Sequence, residues 1–205
     1  MRNVATVQAL ISLIARLTAD RGSCVLVAID GRSGVGKSTL ATGIADVLQA
    51  SVVPVDDFFA AHIADAGWDA RTPARRAADC LDWRRLRREA LEPLKSGRPA
   101  AWHGLDFTGG PRADGSYGLQ SGLTTRAATS MVLADGAYSA RPELADMIDL
   151  TVLVEAPGDV RVERLAAREE PAFLAAWLAR WDAAEDHYFT ITRPRCTFDV
   201  VIGER

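Results

Sequence analysis

The sequence is short of the residues that mark disulfide-rich and zinc-binding proteins. Among 205 residues there are three cysteines and three histidines, well separated along the chain. No Cys-x-x-Cys pair is present, so neither a disulfide framework nor a zinc site is expected, and a reducing, cytoplasmic setting fits best. The histidines are expected to be structural or surface residues rather than metal ligands. These six residues are Cys24, Cys80, Cys196, His62, His103 and His187.

Long apolar runs and an excess of positive charge are also missing. No apolar run approaches the roughly 20 residues of a membrane span. Apolar residues at helical spacing from Val4 to Leu17 predict an opening helix rather than a signal peptide. The formal net charge of −3 argues against broad nucleic-acid binding. We therefore expect neither a membrane nor a nucleic-acid partner, and the length suits a single domain over residues 1–205.

Five short apolar runs, rich in β-branched residues, predict the strands of an α/β fold. Helical segments separate most of them, so the connections predict a parallel sheet with helices on both faces. Ligands then bind at the carboxyl ends of the strands. Pro54 within the second run predicts that this strand lies at an edge of the sheet. The predicted strands are residues 24–29, 51–55, 131–134, 150–154 and 198–202.

Residues 31–38 match the phosphate-binding pattern G-x-x-x-x-G-K-[ST]. They lie between the first predicted strand and a predicted helix whose apolar face is formed by Leu40, Ile44, Val47 and Leu48. The glycines let backbone N–H groups turn toward an anion, and the helix N-terminus favours phosphate. Lys37 is predicted to contact the β- and γ-phosphates, and the Ser38 hydroxyl to bind Mg²⁺. The predicted nucleotide-binding residues are Gly31, Ser33, Gly34, Val35, Gly36, Lys37, Ser38 and Thr39.

Acidic residues follow two further strands at the same predicted edge of the sheet. Asp56 and Asp57 come just after the second strand, and Asp135 follows the third. A carboxylate at a strand end often holds Mg²⁺, so Asp135 is predicted to join Ser38 in a metal site. A second carboxylate near an acceptor hydroxyl can orient it and take its proton. Either Asp56 or Asp57 can fill that role, and each can equally cap a turn.

Two groups of arginines stand at helical spacing. Arg161, Arg164 and Arg168 share one stripe, where they can stabilise the charge of a transferring phosphoryl group or form a solvated face paired with nearby glutamates. A second group of arginines lies in the helix that comes before residues 97–123. That segment is irregular and rich in glycine, and loops of this length are usually functional or mobile. This group is predicted to be a solvated helix face: Arg84, Arg85, Arg87 and Arg88.

At this point the chain resembles the branch of P-loop kinases that contains uridine kinases, phosphoribulokinases and nicotinamide riboside kinases. The phosphate loop belongs to the whole superfamily, whereas Asp56-Asp57-Phe58-Phe59 is similar to the branch's Asp-x-Phe-[Tyr/Phe] motif. The resemblance covers roughly residues 22–203. Further matches are Asp82-Trp-Arg-Arg-Leu86 with Leu91-Glu-Pro-Leu94, Asp135-Gly136 where the branch usually has Glu-Gly, and Asp159, Arg161, Arg164 and Arg168 in the lid.

The resemblance implies a P-loop NTPase fold with a substrate loop at about 97–123 and a small lid at about 159–180. It implies an ATP- and Mg²⁺-dependent kinase acting on the hydroxyl of a small molecule. Asp56 would face that hydroxyl, and Lys37, Arg164 and Arg168 would act on the transferred phosphoryl group. The alternative is a non-catalytic or slowly hydrolysing nucleotide-binding protein. The acceptor and the oligomeric state stay open at this stage.

The chain departs from the resemblance at two places, one in the segment that would contact the acceptor and one in the lid. Uridine kinases of this branch carry Tyr-Asp-Phe followed closely by histidine, where this chain has Leu105-Asp106-Phe107 followed by Thr-Gly-Gly-Pro. The residues that would contact a pyrimidine are therefore missing. Trp68, Trp102 and Phe107 remain as aromatic residues that could stack on an acceptor or belong to the core. The usual Arg-Asp pair of the lid is also absent, since Glu169 follows Arg168.

Overall fold

The five predicted strands lie in one parallel sheet of the computed structural model, which describes residues 2–3 and 6–203. Val4, where the predicted opening helix starts, and the terminal residues of the predicted 1–205 domain lie outside the described residues. The sequence pattern missed a two-residue edge strand, β1 (Arg2–Asn3), which pairs with the last strand. The other strands of this sheet are β2 (Val25–Asp30), β3 (Ser51–Pro54), β6 (Met131–Asp135), β7 (Leu150–Glu155) and β8 (Val200–Gly203).

The sheet order is β1-β8-β7-β2-β6-β3, so β3 lies at an edge of the described sheet, as Pro54 predicted. All described pairings in it are parallel. The carboxyl ends of β2, β6 and β3 are neighbours, which brings the phosphate loop and the acidic residues to one place. A separate antiparallel pair joins β4 (Ala100–Trp102) to β5 (Thr124–Arg126) at the base of the irregular segment.

Helices cover both faces of the sheet, as predicted. The first two helices pack on one face of the sheet. The last helix packs on the other face, together with the short helices between residues 65 and 95. The helices are α1 (Val7–Arg21), α2 (Lys37–Leu48), α3 (Asp65–Asp69), α4 (Pro73–Asp79), α5 (Trp83–Leu86), α6 (Glu92–Lys95), α7 (Gly158–Arg168) and α8 (Pro171–His187).

Alternate residues along the strands pack into hydrophobic clusters on opposite faces of the sheet, because successive strand side chains point to opposite faces. Val25, Val27 and Ile29 of β2 pack with α1 and α2. Leu26 of the same strand packs with the core that contains Trp181 of α8. Every residue of β2 is buried, which explains why its sequence is a continuous apolar run rather than an alternating one.

The predicted apolar face of α2 is wrong at Val47, whose side chain is 61% exposed. The buried stripe runs through Lys37, Ala41 and Ile44, with Leu48 packed at its end. At 100° per residue, Val47 lies about 90° from the centre of that stripe. The stripe begins at Lys37 because the phosphate loop holds the first turn of α2 against the sheet. The spacing of apolar residues does not reveal this contact.

The predicted helix at 82–94 is present as one nearly continuous helix from α5 to α6. Asp82 is its N-cap and accepts the Arg85 backbone N–H at 3.0 Å. A π-helical turn, Arg87–Leu91, joins the two α-helical parts. Pro93 has no N–H, and its ring would clash with the carbonyl of Glu89 in a regular α-helix. The wider turn before Pro93 accommodates it, as π-bulges do.

Candidate active site

The phosphate loop lies between β2 and α2 at the carboxyl edge of the sheet. Gly34 and Gly36 have φ angles of 83° and 99°, which glycine adopts readily. A Cβ on Gly34 would lie 2.7 Å from the Arg161 carbonyl oxygen, so a side chain does not fit there. Lys37 is 9% exposed and its Nζ donates to the Arg32 carbonyl at 3.0 Å. Its ammonium group is thus held beside the loop, where a phosphate oxygen could replace that carbonyl.

The lid helix α7 lies directly on this loop. Arg161 Nε donates to the Ser33 carbonyl at 2.8 Å. Arg164 Nη1 donates to the carbonyl oxygens of Val35 at 3.1 Å and Gly34 at 3.3 Å. Two of the three predicted lid arginines therefore bring positive charge to the phosphate loop, Arg161 as a partly buried side chain and Arg164 as an exposed one.

Arg168 is placed differently from the other two lid arginines. Its side chain is 68% exposed and pairs with Glu169 at 2.6 Å. Its charge nevertheless reaches the acidic side of the site, because Arg168 lowers the pKa of Asp56 against the larger effect of desolvation. A role for Arg168 on the phosphoryl group stays a prediction.

A buried glutamate that the sequence reading missed holds the lid and the loop together. Glu185 of α8 is 1% exposed. Its Oε1 accepts the Ser33 backbone N–H at 3.0 Å and the Ser33 hydroxyl at 2.7 Å. Its Oε2 accepts Arg161 Nη2 at 3.2 Å. The available signal was an acidic residue within the buried stripe formed by Trp181, Ala184 and Tyr188, a position that a carboxylate occupies only when it has partners.

Asp135 and Ser38 fit the predicted magnesium site. Asp135 ends β6 and is 6% exposed, and its Oδ1 has no hydrogen-bond partner among the described residues. Desolvation raises the pKa of Asp135, while a hydrogen bond from Ser38 and the charge of Lys37 lower it. A buried carboxylate oxygen without a partner, next to a hydroxyl, is the donor set that a hard cation prefers.

Asp56 lies on the same side of the site. A Cβ on Gly136, the residue after Asp135, would come within 3.2 Å of Asp56 Oδ1. Asp56 is open to solvent, although surrounding protein reduces its hydration. Desolvation raises the pKa of Asp56, Lys37 and Arg168 lower it, and Asp57 raises it. Since water still reaches this carboxylate, an acceptor hydroxyl could reach it as well.

Asp57, the rival for the same role, is engaged by the protein itself. Its Oδ2 accepts the Trp102 indole N–H at 2.7 Å. The carboxylate also packs so closely on Gly104 that a Cβ there would meet it at 2.9 Å. These contacts tie the turn after β3 to β4 and the start of the substrate loop. The geometry therefore favours Asp56 over Asp57 for an acceptor hydroxyl.

A second buried carboxylate, Asp30, organises the backbone around the site. It is the last residue of β2 and is fully buried. Its Oδ1 accepts the N–H groups of Gly31 and Tyr138, both at 2.8 Å. Its Oδ2 accepts the Ala140 N–H and the Tyr188 hydroxyl, both at 2.9 Å. One carboxylate thus joins the phosphate loop, the segment after Asp135 and the end of α8.

Replacing Asp30 with asparagine is expected to lower the free energy of unfolding by roughly 2–4 kcal/mol. The asparagine NH₂ would face backbone donors, and each unsatisfied buried donor costs about 1–3 kcal/mol. Urea denaturation followed by circular dichroism measures the change. Asp46→Asn, on the exposed side of α2, is the matched control and should change stability by less than about 0.5 kcal/mol. Equal stability of the two variants would contradict the proposed role of Asp30.

A cavity of about 280 Å³ adjoins the phosphate loop. It lies between the loop, the carboxyl end of β7 and the start of α7. Val35 and Leu153 provide apolar surface, and Gly158 and Thr190 border it. Its position beside the phosphate loop suits the nucleoside part of a nucleotide.

The prediction of a solvated helix face is wrong for Arg85, whose side chain is 12% exposed. Its guanidinium donates to the carbonyl oxygens of Asp57 at 2.5 Å and His103 at 2.7 Å, and lies 4.6 Å from the centre of the Phe58 ring. The substrate loop folds back on the start of this helix, a tertiary contact that helical periodicity does not reveal.

The aromatic residues near the presumed acceptor pocket divide between core and surface. Trp68 and Trp102 are 2% and 1% exposed and belong to the hydrophobic core. Phe107 is 59% exposed on the substrate loop, with its ring 6.2 Å from that of Tyr117. Only Phe107 is therefore open to a ligand.

Two features are absent from the part of the chain that the structure describes. Residues 2–3 and 6–203 contain no cluster of three or more His, Cys, Asp or Glu side chains that could hold a metal ion. No helix within those residues has the length and hydropathy needed to cross a membrane.

Comparison with solved structures identifies the fold as that of P-loop kinases. A possible uridine kinase from Bacillus stearothermophilus superposes with a TM-score of 0.70 at 18% identity, covering 96% of each chain. D-glycerate 3-kinase from Cryptococcus neoformans superposes with a TM-score of 0.67 at 12% identity, covering 98% of this chain and 96% of that one. No protein-family model and no curated protein matches the sequence. At these identities the likeness establishes the fold alone.

Proposed function

We propose that this chain is an ATP-dependent kinase that transfers the γ-phosphoryl group to a hydroxyl of a small-molecule acceptor. The carrying observation is geometric: Asp56 Oδ1 lies 3.2 Å from where a Cβ on Gly136, the residue after Asp135, would stand, and Arg164 of the lid donates to the phosphate loop at 3.1 Å. The group that would take the acceptor's proton therefore lies within reach of the phosphate loop, the lid and the metal-binding carboxylate. The proposal takes residues 1–205 as one domain in the cytoplasm, consistent with three free thiols.

On the donor side, the loop N–H groups and Lys37 hold the β- and γ-phosphates. Arg164 now donates to loop carbonyls and can turn to the γ-phosphoryl oxygens when they arrive. Arg161 stays bound to Ser33 and Glu185 and keeps α7 in place. Ser38 and Asp135 would hold Mg²⁺, which neutralises phosphate charge when bound. The other magnesium ligands would be phosphate oxygens and water.

On the acceptor side, Asp56 accepts the proton of the attacking hydroxyl. The hydroxyl oxygen forms a bond to the γ-phosphorus as the bond to the β–γ bridging oxygen breaks, and ADP leaves. Lys37 and Arg164 stabilise the charge that spreads over the transferring oxygens. The lid covers the loop and limits the access of water, which would otherwise take the place of the acceptor.

The experiment that tests this proposal is ADP release measured with and without hydroxyl compounds. A kinase releases ADP faster when its acceptor is present. A nucleotide-binding switch or slow ATPase, the competing interpretation, shows the same rate with and without any acceptor. Arg164→Gln should slow acceptor-dependent release while leaving the fold intact, because its hydrogen bonds are made at the surface of the lid.

Uridine and cytidine are expected to be poor acceptors. Leu105 is 1% exposed and bridges Leu119 across the substrate loop, so it offers a pyrimidine no hydrogen bond. The polar edge of a pyrimidine would lose its hydrogen bonds to water on binding and gain none from this side chain, which makes binding unfavourable. We expect kcat/KM for uridine to lie below about 10⁴ M⁻¹s⁻¹, the lower end for ordinary enzymes. A larger kcat/KM in steady-state kinetics would contradict this expectation and support uridine kinase activity.

A further inference from the structure

A second cleft lies between the turn that carries Asp56 and the folded substrate loop. Its volume is about 280 Å³, which suits a small compound. Phe59, which lines it, directly follows the turn Val55–Phe58 that holds Asp56. The lining residues used below are Phe59, His62, Asp82, Arg85, Arg112 and Tyr117. Asp56 lies three residues before Phe59 and does not itself line the cleft, so an acceptor bound in the cleft would have to reach past Phe59 to bring its hydroxyl to Asp56.

Arg85 gives the cleft a positive charge that no carboxylate in hydrogen-bond contact balances. Its two described hydrogen bonds go to the main-chain carbonyls of Asp57 and His103. Glu89 Oε2 forms a long ion pair with Arg85 Nη1 at 4.0 Å. Arg141, by comparison, bonds to Glu143 through two nitrogens at 3.0 and 2.9 Å. A little-exposed guanidinium held by neutral carbonyls keeps its capacity to attract an anion.

Arg112 brings a second guanidinium to the cleft from the substrate loop. Its Nη1 donates to the Tyr117 carbonyl at 2.9 Å and to the Ser116 hydroxyl at 3.4 Å. Among the described residues it makes no hydrogen bond to a carboxylate. The loop that carries it is fixed by the Tyr117 N–H, which donates to the Ala61 carbonyl at 2.8 Å. Arg112 is therefore positioned by backbone contacts.

Nearby acidic groups offset this charge only in part. Asp82 lines the cleft, but its Oδ1 already accepts the Arg85 backbone N–H as a helix cap. Asp114 is engaged by the N–H and the hydroxyl of Ser116. The lining thus holds two guanidiniums against one carboxylate, with His62 as a further polar group and Phe59 as an apolar wall.

We propose that this cleft binds an anionic group of the acceptor, so that the substrate is a small hydroxyl compound carrying a carboxylate or a phosphate. This inference rests on the proposed function, because it assigns the acceptor of the same site. Guanidinium groups pair with both anions in a bidentate manner. The cleft provides two such groups, and its apolar wall accommodates a short carbon chain.

Matched pairs of compounds test this inference by binding and by turnover. The pairs are glycerate and glycerol, gluconate and sorbitol, and ribose 5-phosphate and ribose, so that carboxylate and phosphate are tested separately. Binding is measured by thermal shift with a non-hydrolysable ATP analogue present, and turnover by ADP release with ATP. The proteins are wild type, Arg112→Gln, and Arg98→Gln as an exposed control outside the cleft.

At least one anionic member is expected to bind more tightly than its neutral counterpart. Arg112→Gln should weaken that binding about tenfold or more, with the effect mainly on KM, whereas Arg98→Gln should not. Preferred binding or turnover of neutral members would overturn the inference and leave the kinase proposal standing. Arg112-dependent anion binding without phosphoryl transfer would support the anion site but contradict the kinase proposal, and with it the assignment of the bound compound as an acceptor. If no anionic compound binds at millimolar concentration, the inference is wrong.

Discussion

Lys37→Ala is expected to lower kcat/KM for phosphoryl transfer by at least about 10²-fold. In the proposed mechanism the ammonium group neutralises the β- and γ-phosphates, and removing one donor from an oxyanion hole costs about 2.7–4 kcal/mol in the transition state. Steady-state ADP release in the presence of an acceptor measures the loss. Folding should be little affected, because the one described hydrogen bond of this side chain goes to a carbonyl in the loop itself.

Arg98→Ala is the control for the removal of a positive charge, since Arg98 is exposed and lies outside both clefts. It should keep the activity of the wild type. Circular dichroism and thermal unfolding of Lys37→Ala separate lost chemistry from lost structure. A well-folded Lys37→Ala variant with wild-type turnover would show that the loop does not bind the transferred phosphate.

Asp56→Asn is expected to reduce kcat by about 10²-fold or more while leaving ATP affinity unchanged. Asparagine keeps the shape of the side chain but cannot accept the hydroxyl proton, and general-base catalysis contributes about 10²–10⁴-fold. The pH profile provides a second readout. Desolvation raises the pKa of Asp56 above its usual value of 3.8, so wild-type activity should fall with decreasing pH at a higher pH than for an ordinary aspartate. The variant should lose this acidic limb.

Asp57→Asn distinguishes the two carboxylates of this motif. An asparagine there can still accept the Trp102 indole N–H through its amide oxygen, so we expect modest losses in stability and activity. An active Asp56→Asn with an inactive Asp57→Asn would shift the catalytic assignment by one residue. That result would also require Asp57 to leave its contacts with Trp102 and Gly104 during the reaction.

The features that could be predicted from sequence depend on neighbouring residues in the chain or on a general rule of sheet topology. The phosphate loop, its flanking strand and its helix occupy one continuous segment, so a local pattern identifies them. The edge position of β3 followed from Pro54 for the same reason. Asp135 and Ser38 were predicted together because the carboxyl ends of adjacent parallel strands meet at one edge of the sheet.

The features that were missed depend on contacts between distant segments. Glu185 is 152 residues from Ser33, which it contacts, and Asp30 bonds to Tyr188 across 158 residues. Arg85 looked like a surface residue because its helix presents a row of charges, yet the substrate loop covers it. These roles depend on which loop packs against which helix, and the spacing of residues in a single sequence does not show that.

The proposed kinase activity is tested most directly by following the γ-phosphoryl group itself. ATP labelled at the γ-phosphate is incubated with the protein, Mg²⁺ and the six compounds of the matched pairs, and the products are separated by chromatography. We expect the label to move to a hydroxyl of an acceptor with wild type and to stay on ATP with Lys37→Ala. Label released only as inorganic phosphate, at one rate with or without any acceptor, would contradict the kinase account.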